Sequence, residues 1–350
     1  NIESTTEAIK KAREEAELMS GYPIDEVWVG VAGSHISSFD SKGMVAIRNK
    51  EVGQEDIDRV LEAAKAVAVP SDREVIHVLP REYKVDEQEG ISDPIGMSGV
   101  RLEASVHIVT GGRTALQNAI KCTEKANLKV AGLVLQQLAS SLAVLSEDEK
   151  NLGVAVVDMG GGTSDIVLYV NGSVAHTAVV PIGGNHFTHD IAVGLRTPQS
   201  SAEELKKRHG VALAIMVKDE EVIEVPGVGG RDPRSVHRRD LCDVIEPRAE
   251  EALTILREKI FESGMMPHLG SGAVITGGAS QLAGLIEVGE YIFDIPVRLG
   301  TAANIKGLSD IVRVPSYATA IGLIMYGLLQ EKQTATVADE DVSWGGRLDS

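Results

Sequence analysis

Residues 154–170, VAVVDMGGGTSDIVLYV, restrict the possible folds more than any other stretch of this chain. An apolar run of Val154, Ala155, Val156 and Val157 ends in Asp158. Beyond three consecutive glycines, Ile166, Leu168 and Val170 alternate with Asp165, Val167 and Tyr169. Both flanks are short and rich in β-branched residues, so both read as strands. The glycines are therefore the tip of a hairpin and not the entry to a helix. A Rossmann fingerprint needs G-x-G-x-x-G leading into a helix, and a P-loop needs G-x-x-x-x-G-K-[ST]. Neither pattern is present. A glycine hairpin offers another way to grip phosphate. Without Cβ atoms, the N–H groups of Gly160, Gly161 and Gly162 can close around its oxygens, and Thr163 adds a hydroxyl donor. Asp158 faces the same spot and can hold Mg²⁺, through water because that ion dehydrates reluctantly; Asp165 is a second such carboxylate. The competing explanation is a plain tight turn that uses glycine for positive φ.

Two other segments strengthen the nucleotide reading. In AVITGGASQLAGL, residues 273–285, a strand meets paired glycines and then a helix. Gly277 and Gly278 let backbone approach a flat ligand, with Ala279 and Ser280 at the helix start. In AEELKKRHG, residues 202–210, Glu203 and Lys206 are three apart and share a helix face. Facing a nucleotide, the carboxylate can accept from ribose hydroxyls while the lysine stem flanks the base. Taken singly, these are an ordinary strand-to-helix turn and a solvated charge pair. His186 and His189 have no third metal ligand nearby, and THDIA reads as a helix start capped by Thr188. Cys122 and Cys242 lack a neighbouring base, so no covalent catalytic set stands out.

The 350 residues suffice for two domains, and a hydrophobic content of 43% suffices for their cores. Aromatics are only 3%, which leaves no base-stacking platform. With 34 basic against 51 acidic residues the net charge is −17, a poor match for nucleic acid or anionic lipid. Two distant cysteines suit a reducing compartment. No apolar run is long enough to span a bilayer and no signal-peptide layout opens the chain, so a cytoplasmic protein is expected.

Along the chain, a first helix places Ile2, Ile9, Ala12, Ala16 and Met19 near one face, with Gly21 as C-cap. A buried strand follows at 26–33. Residues 34–105 read as a compact α+β insertion, with strands at 44–47, 75–79, 83–85 and 100–109. Its helix, 54–67, carries Ile57, Val60, Leu61 and Ala64 on one stripe. Residues 115–145 read as helix, strand, helix. After the hairpin, 191–269 is mostly charged helix with a strand or two near 221–225. The α/β pattern returns at 273, a last helix covers 316–329, and 330–350 is a polar, mobile tail. Two α/β units result, each interrupted by an insertion.

DMGGGTSD followed by ITGGASQLAGL resembles the second phosphate and adenosine motifs of the actin/heat-shock chaperone/sugar kinase superfamily. More narrowly, VAGSHISSFDSKGMVAI, GMSGVRLEASVHIVTG, QQLASSLAVL, GVGGRDPRSVHRRDL and VIEPR resemble FtsA, the bacterial actin-like family of cell division. The likeness runs from near Asn1 to about Gly327. It implies an α/β, actin-like (ribonuclease H-like) two-domain fold. Subdomain 1A would hold 1–33, 106–151 and the helix 315–329; an inserted subdomain 1C would hold 34–105. Subdomain 2A would hold 152–190 and 270–314, and 2B would hold 191–269. Residues 330–350 would be a polar linker towards a membrane-targeting helix.

The resemblance further implies ATP and Mg²⁺ in an interdomain cleft. It puts 160–163 on the phosphates, Asp158 and Asp165 near the metal, Gly277, Gly278 and Ala279 at the adenosine, and Glu203 with Lys206 over ribose and base. It implies self-assembly into filaments that tether FtsZ to the cytoplasmic face of the inner membrane at the division site. Later division proteins would meet 34–105, and 2B would receive the FtsZ C-terminal peptide. Arg239 and Arg248 are candidate partners for that peptide's acidic groups. At most weak ATP hydrolysis is expected, since no residue stands out as a base. A PilM-like pilus-assembly role and a sugar-kinase-type phosphotransfer are the alternatives.

Two departures matter. The family opens with a strand–turn–strand carrying the first phosphate motif, upstream of the helix that begins this sequence. A chain truly lacking it should bind ATP poorly. At the other end, SWGGRLDS is only the start of an amphipathic helix. Trp344 and Leu348 share a face beside Arg347, but Gly345 and Gly346 weaken it, so weak membrane binding is expected.

Overall fold

The computed structural model describes residues 1–303 and 312–345, and for 333–345 the backbone alone. The chain begins with α1 (Ile2–Ser20), β1 (Glu26–Val31), β2 (Ile36–Ala46), α2 (Gln54–Lys65), β3 (Arg73–Val85), β4 (Gln88–Ile91) and β5 (Arg101–Gly112). It continues through α3 (Arg113–Lys125), β6 (Lys129–Leu135), α4 (Gln136–Val144), α5 (Glu147–Leu152), β7 (Val154–Met159), β8 (Ser164–Val170) and β9 (Ser173–Val180). Next come α6 (Gly184–Gly194), α7 (Gln199–His209), β10 (Val222–Val225), β11 (Arg234–His237) and α8 (Arg238–Glu262). The described part closes with β12 (Ala273–Thr276), α9 (Leu285–Phe293), β13 (Val297–Leu299) and α10 (Ala318–Gly345).

The glycine hairpin sits in a five-stranded sheet of order β13-β12-β7-β8-β9. β13, β12 and β7 are parallel, while β7, β8 and β9 form an antiparallel meander. Helices cover both faces, which is why β7 is buried at every position. Strand alternation sorts its side chains. Ala155, Val157 and Met159 join Phe187, Ile191 and Leu253 in one core, whereas Val154 and Val156 join Leu138, Val144 and Ala318 in the other. Asp158 shares parity with Val154 and Val156 and so points towards α4 and α10. Asp165, which pairs with Asp158 across β7–β8, shares parity with Val167 and Tyr169 and points the same way.

Residues 36–112 supply an antiparallel sheet of order β2-β5-β3-β4 with α2 on one face. Leu102, Ala104, Val106 and Ile108 of β5 meet Ile57, Val60 and Ala64 of α2. Close contact is possible because Gly43 has no side chain; a Cβ there would lie 2.2 Å from Val60 O. The strands expected at 75–79 and 83–85 are one strand, β3. Pro80 suggests a break because it cannot donate to a ladder, but the strand passes it at a register irregularity between Pro80 and Glu82. β2 is longer than expected because alternation sends Phe39, Gly43 and Val45 to the α2 face and the polar Ser38, Asp40 and Lys42 to the other, where Ser38 bonds Thr177 O of β9 while Asp40 and Lys42 stay exposed. β4, β9 and α5 were not anticipated.

Elsewhere, β1 and β6 form a parallel pair, and β10 pairs with β11. Gly21 ends α1 as expected, at φ 75°, and at the other end the Asn1 side chain accepts from Glu3 N–H. Met19 is not on a packed face, being 84% exposed, because α1 meets α3 nearer its start, at Thr6. The final helix runs on past 329 to Gly345, so the backbone of the expected polar linker is helical as far as that residue. Arg347 and Leu348 lie outside the described residues, as does the side chain of Trp344.

Candidate functional site

A cavity of about 740 Å³ opens where the hairpin, the start of α6, α7 and the turn after β12 meet. Gly160 and Gly161 line it, as do Glu203, Lys206, Gly278 and Ala279. Thus the structure brings together residues from three of the sequence segments singled out above. Ser316 adds a lining residue from just before α10. The two glycine turns are adjacent because β7 and β12 are parallel neighbours, with Thr276 opposite Asp158.

At the hairpin tip, Gly160 N–H bonds to Thr163 O at 2.9 Å. The N–H groups of Gly161, Gly162 and Thr163 make no hydrogen bond among the described residues. None of the three glycines has positive φ, so the tight-turn explanation for them does not hold. Their carbonyls are used instead: Gly160 O accepts from Gly184 N–H at 2.9 Å and Gly161 O from Asn185 N–H at 2.8 Å. This fastens the hairpin to the first turn of α6. Gly183 is what permits it, since a Cβ there would lie 2.6 Å from Gly160 O and 2.8 Å from Gly161 O. The sequence reading passed over Gly183 and Gly184, although paired glycines after a strand were the signal it used at Gly277.

Asp158 and Asp165 are both buried beneath the tip. Asp158 Oδ2 accepts from Ser140 of α4 and from Thr319 of α10, the latter at 2.9 Å. Burial drives its pKa upward, opposed by those hydroxyls. Asp165 is pushed up to about 7, by burial first and by the Asp158 charge second. Thr163 donates its hydroxyl to Asp165 Oδ2 at 3.1 Å, so it faces the carboxylate pair. Asp165 Oδ1 is buried without a partner among the described residues. An orphaned carboxylate oxygen beside a second carboxylate fits a hydrated divalent cation. Among the described residues there is no group of three or more His, Cys, Asp and Glu side chains that could hold a metal directly, His186 and His189 included.

Gly277, at φ 87°, packs against the pair from the other strand: a Cβ would lie 2.4 Å from Asp158 Oδ1. Its role is contact with Asp158, and the cavity is lined by its successors Gly278 and Ala279. The helix expected at Ser280 begins later. Residues Gly278–Gln281 form a single 3₁₀ turn, and α9 starts at Leu285, because Gly284 in the left-handed region interrupts the path.

Glu203 and Lys206 form the expected pair, 2.7 Å apart, and Lys207 approaches Glu203 at 3.3 Å. Thr188 is not a helix cap. It lies inside α6, which begins at Gly184, and its hydroxyl reaches Glu203 and the Lys206 ammonium. Arg239 and Arg248 do not line the cavity and are already paired, Arg239 with Asp219 at 2.7 Å and Arg248 with Asp190 and Glu251.

With this geometry in hand, comparison with known proteins is decisive. The family model "Cell division protein FtsA" matches residues 155–322, and "SHS2 domain inserted in FTSA" matches 33–110. The Pseudomonas aeruginosa cell division protein FtsA is 50% identical over 95% of this chain and 79% of its own length. The chain belongs to the FtsA family of cell division proteins. The Escherichia coli K12 member is 44% identical over 100% of this chain and 86% of its own length. Among solved structures, the PilM–PilN type IV pilus biogenesis complex matches with a TM-score of 0.61 at 18% identity, covering 91% of this chain and 84% of that one. At that identity the likeness speaks for fold alone. The fold is actin-like with an inserted SHS2 domain, and the inserted domain of this FtsA-family chain is the α2-covered sheet described above.

Proposed function

We propose that this protein is an ATP-binding scaffold that assembles into filaments and tethers FtsZ to the cytoplasmic face of the inner membrane during division. The observation that carries the reading is the meeting of the two glycine turns and the Glu203–Lys206 pair around one cavity of ligand size. The free N–H groups of Gly161, Gly162 and Thr163 would take phosphate oxygens. Glu203 would accept from ribose hydroxyls, and Gly278 with Ala279 would lie along the adenosine. Asp158 and Asp165 would hold Mg²⁺ through its water shell; when bound, that ion neutralises phosphate charge. None of the cavity-lining residues is placed as a general base, so any hydrolysis would be slow. Nucleotide would act by differential affinity for a closed, polymer-competent form.

The block 34–105 is proposed as the 1C subdomain that meets later division proteins, and 191–269 as 2B, which receives the FtsZ C-terminal peptide. Arg239 and Arg248 would bind its acidic groups by exchanging their present carboxylate partners. No helix among the described residues is long and apolar enough to cross a membrane. Attachment would rest on the amphipathic stretch that starts at 343.

The experiment is a titration with ATP, with and without Mg²⁺, alongside fluorescence anisotropy of an FtsZ tail peptide. Saturable ATP binding that weakens at least about tenfold in Gly161→Val, whose side chain enters the phosphate end, is expected. Binding unaffected by that substitution would place the nucleotide elsewhere. An FtsZ peptide that fails to saturate would remove the tether.

A further inference from the structure

Thr188 sits one turn into α6 and is 3% exposed. Its hydroxyl lies 2.8 Å from Lys206 Nζ and 3.1 Å from Gly184 O, and it is hydrogen-bonded to Glu203 Oε2. An ammonium has three protons. Those of Lys206 meet three acceptors already in the protein: Glu203 Oε2 at 2.7 Å, Thr188 Oγ1 at 2.8 Å and Gly184 O at 2.9 Å. Lys206 is therefore satisfied internally and has no donor to spare for a ligand. Glu203 differs. Its Oε2 is committed to Lys206 and Thr188, while Oε1 meets only Lys207, at 3.3 Å, and its side chain stays 31% exposed at the cavity wall.

Gly184 extends the arrangement to the other end of the cavity. Its N–H holds Gly160 O of the hairpin, and its C=O takes Lys206. One residue thus joins the phosphate turn to α7, and the Thr188 hydroxyl, with its single proton on Glu203, supports the link by accepting from Lys206.

We propose that Thr188 is a positioning residue of the nucleotide site: wedged between Lys206 and Glu203, its hydroxyl aims Glu203 Oε1 at the sugar and locks α7 to the phosphate hairpin through Gly184. This rests on the ATP reading above. A hydroxyl suits the position because it accepts from the ammonium and donates to the carboxylate at once. Valine has the same shape but does neither, leaving two partly buried ionic groups each short of a hydrogen bond. The state of Glu203 reports on the contact. Burial works to raise its pKa, yet hydrogen bonds from Lys206 and Thr188, the Lys206 charge and Lys207 outweigh burial and hold it at about 2.

The test compares Thr188→Val and Thr188→Ser with the unmodified protein by ATP calorimetry, and titrates the Glu203 carboxyl by carbon NMR without ligand. Thr188→Val should weaken ATP binding by about tenfold and raise the Glu203 titration towards the ordinary carboxylate range, while Thr188→Ser keeps both close to the parent. Equal ATP affinity in Thr188→Val, a serine variant as weak as the valine one, or an unmoved Glu203 titration would each overturn the proposal. If Thr188→Val does not fold, the unmodified protein decides: Glu203 titrating in the ordinary range overturns the proposal, and a depressed value kept in Thr188→Ser supports it. If the unmodified protein binds no ATP, the reading of the cavity fails. The ligand-free titration then judges Thr188 alone, with a shift in the valine variant for it and no shift against it.

Discussion

The five-stranded sheet and the inserted four-stranded sheet bury their residues in different ways. In the first, helices cover both faces, and β7 and β8 are buried at nearly every position. In the second, α2 covers one face, and the other carries cross-strand sets such as Lys42, Ser105 and Glu82 or Met44, Glu103 and Lys84. Charge pairs there, Lys84 with Glu89 and Arg101 with Glu103, remain in contact with water. A carboxylate on the open sheet keeps its hydration; Asp158 and Asp165, between two helical layers, lose it. Desolvation perturbs ionisation and leaves an oxygen in want of a cation. The comparison explains why the candidate site grew from the doubly covered sheet, at the ends of its strands.

Substitutions can break or sharpen that contrast. The largest effect is expected from Leu168→Ala, in the core of the doubly covered sheet, at about 4 kcal/mol of stability by denaturant unfolding. A loss below about 1 kcal/mol would mean that this sheet tolerates cavities and is not closely packed on both sides. Gly43→Ala forces a Cβ against Val60 O and should cost about 3 kcal/mol. ATP affinity in its folded fraction should stay unchanged, because the contact belongs to the inserted domain; a parallel loss of affinity would join the two regions that are contrasted here.

His77 tests the inserted sheet where it meets the end of β6 in the β1–β6 pair. Its Nε2 accepts from Leu135 N–H at 3.0 Å, and burial depresses its pKa to about 4. A depressed histidine contributes fully above its unfolded value near 6.5, and that stability drains as pH falls towards 4. Unfolding free energies from urea titrations should decline over that window by up to about 3 kcal/mol, with a shallower slope in His77→Gln. Equal slopes would assign the pH dependence to other groups. The smallest effect is expected from Lys84→Met on the open face. Its melting temperature should match the parent's within error, and a clear drop would show that the exposed ladder holds the sheet together.

Much of the site was legible in the residues. The strand–glycine–strand pattern gave the hairpin, and Glu203 and Lys206 did pair on one helix face. The reading of Thr188 as a cap failed because α6 starts four residues earlier, at Gly184, just after Gly183, whose need for space comes from carbonyls of the distant hairpin. Ser140 and Thr319 were missed for a related reason. Each is an unremarkable hydroxyl on a helix, and only packing of α4 and α10 on one sheet face delivers both to Asp158.

Residue type and spacing alone determined where most strands and helices lie, that the glycine stretch turns back as a hairpin, and that acidic groups flank it. These are properties of neighbours along the chain, set by local sterics and by a period of two or 3.6. Which carboxylates lose water, which lysine is spent inside the protein, and which hydroxyl stands between them were decided by tertiary packing. Those outcomes depend on distances between residues tens to more than a hundred positions apart, and desolvation and hydrogen-bond partners exist only once such distances are fixed.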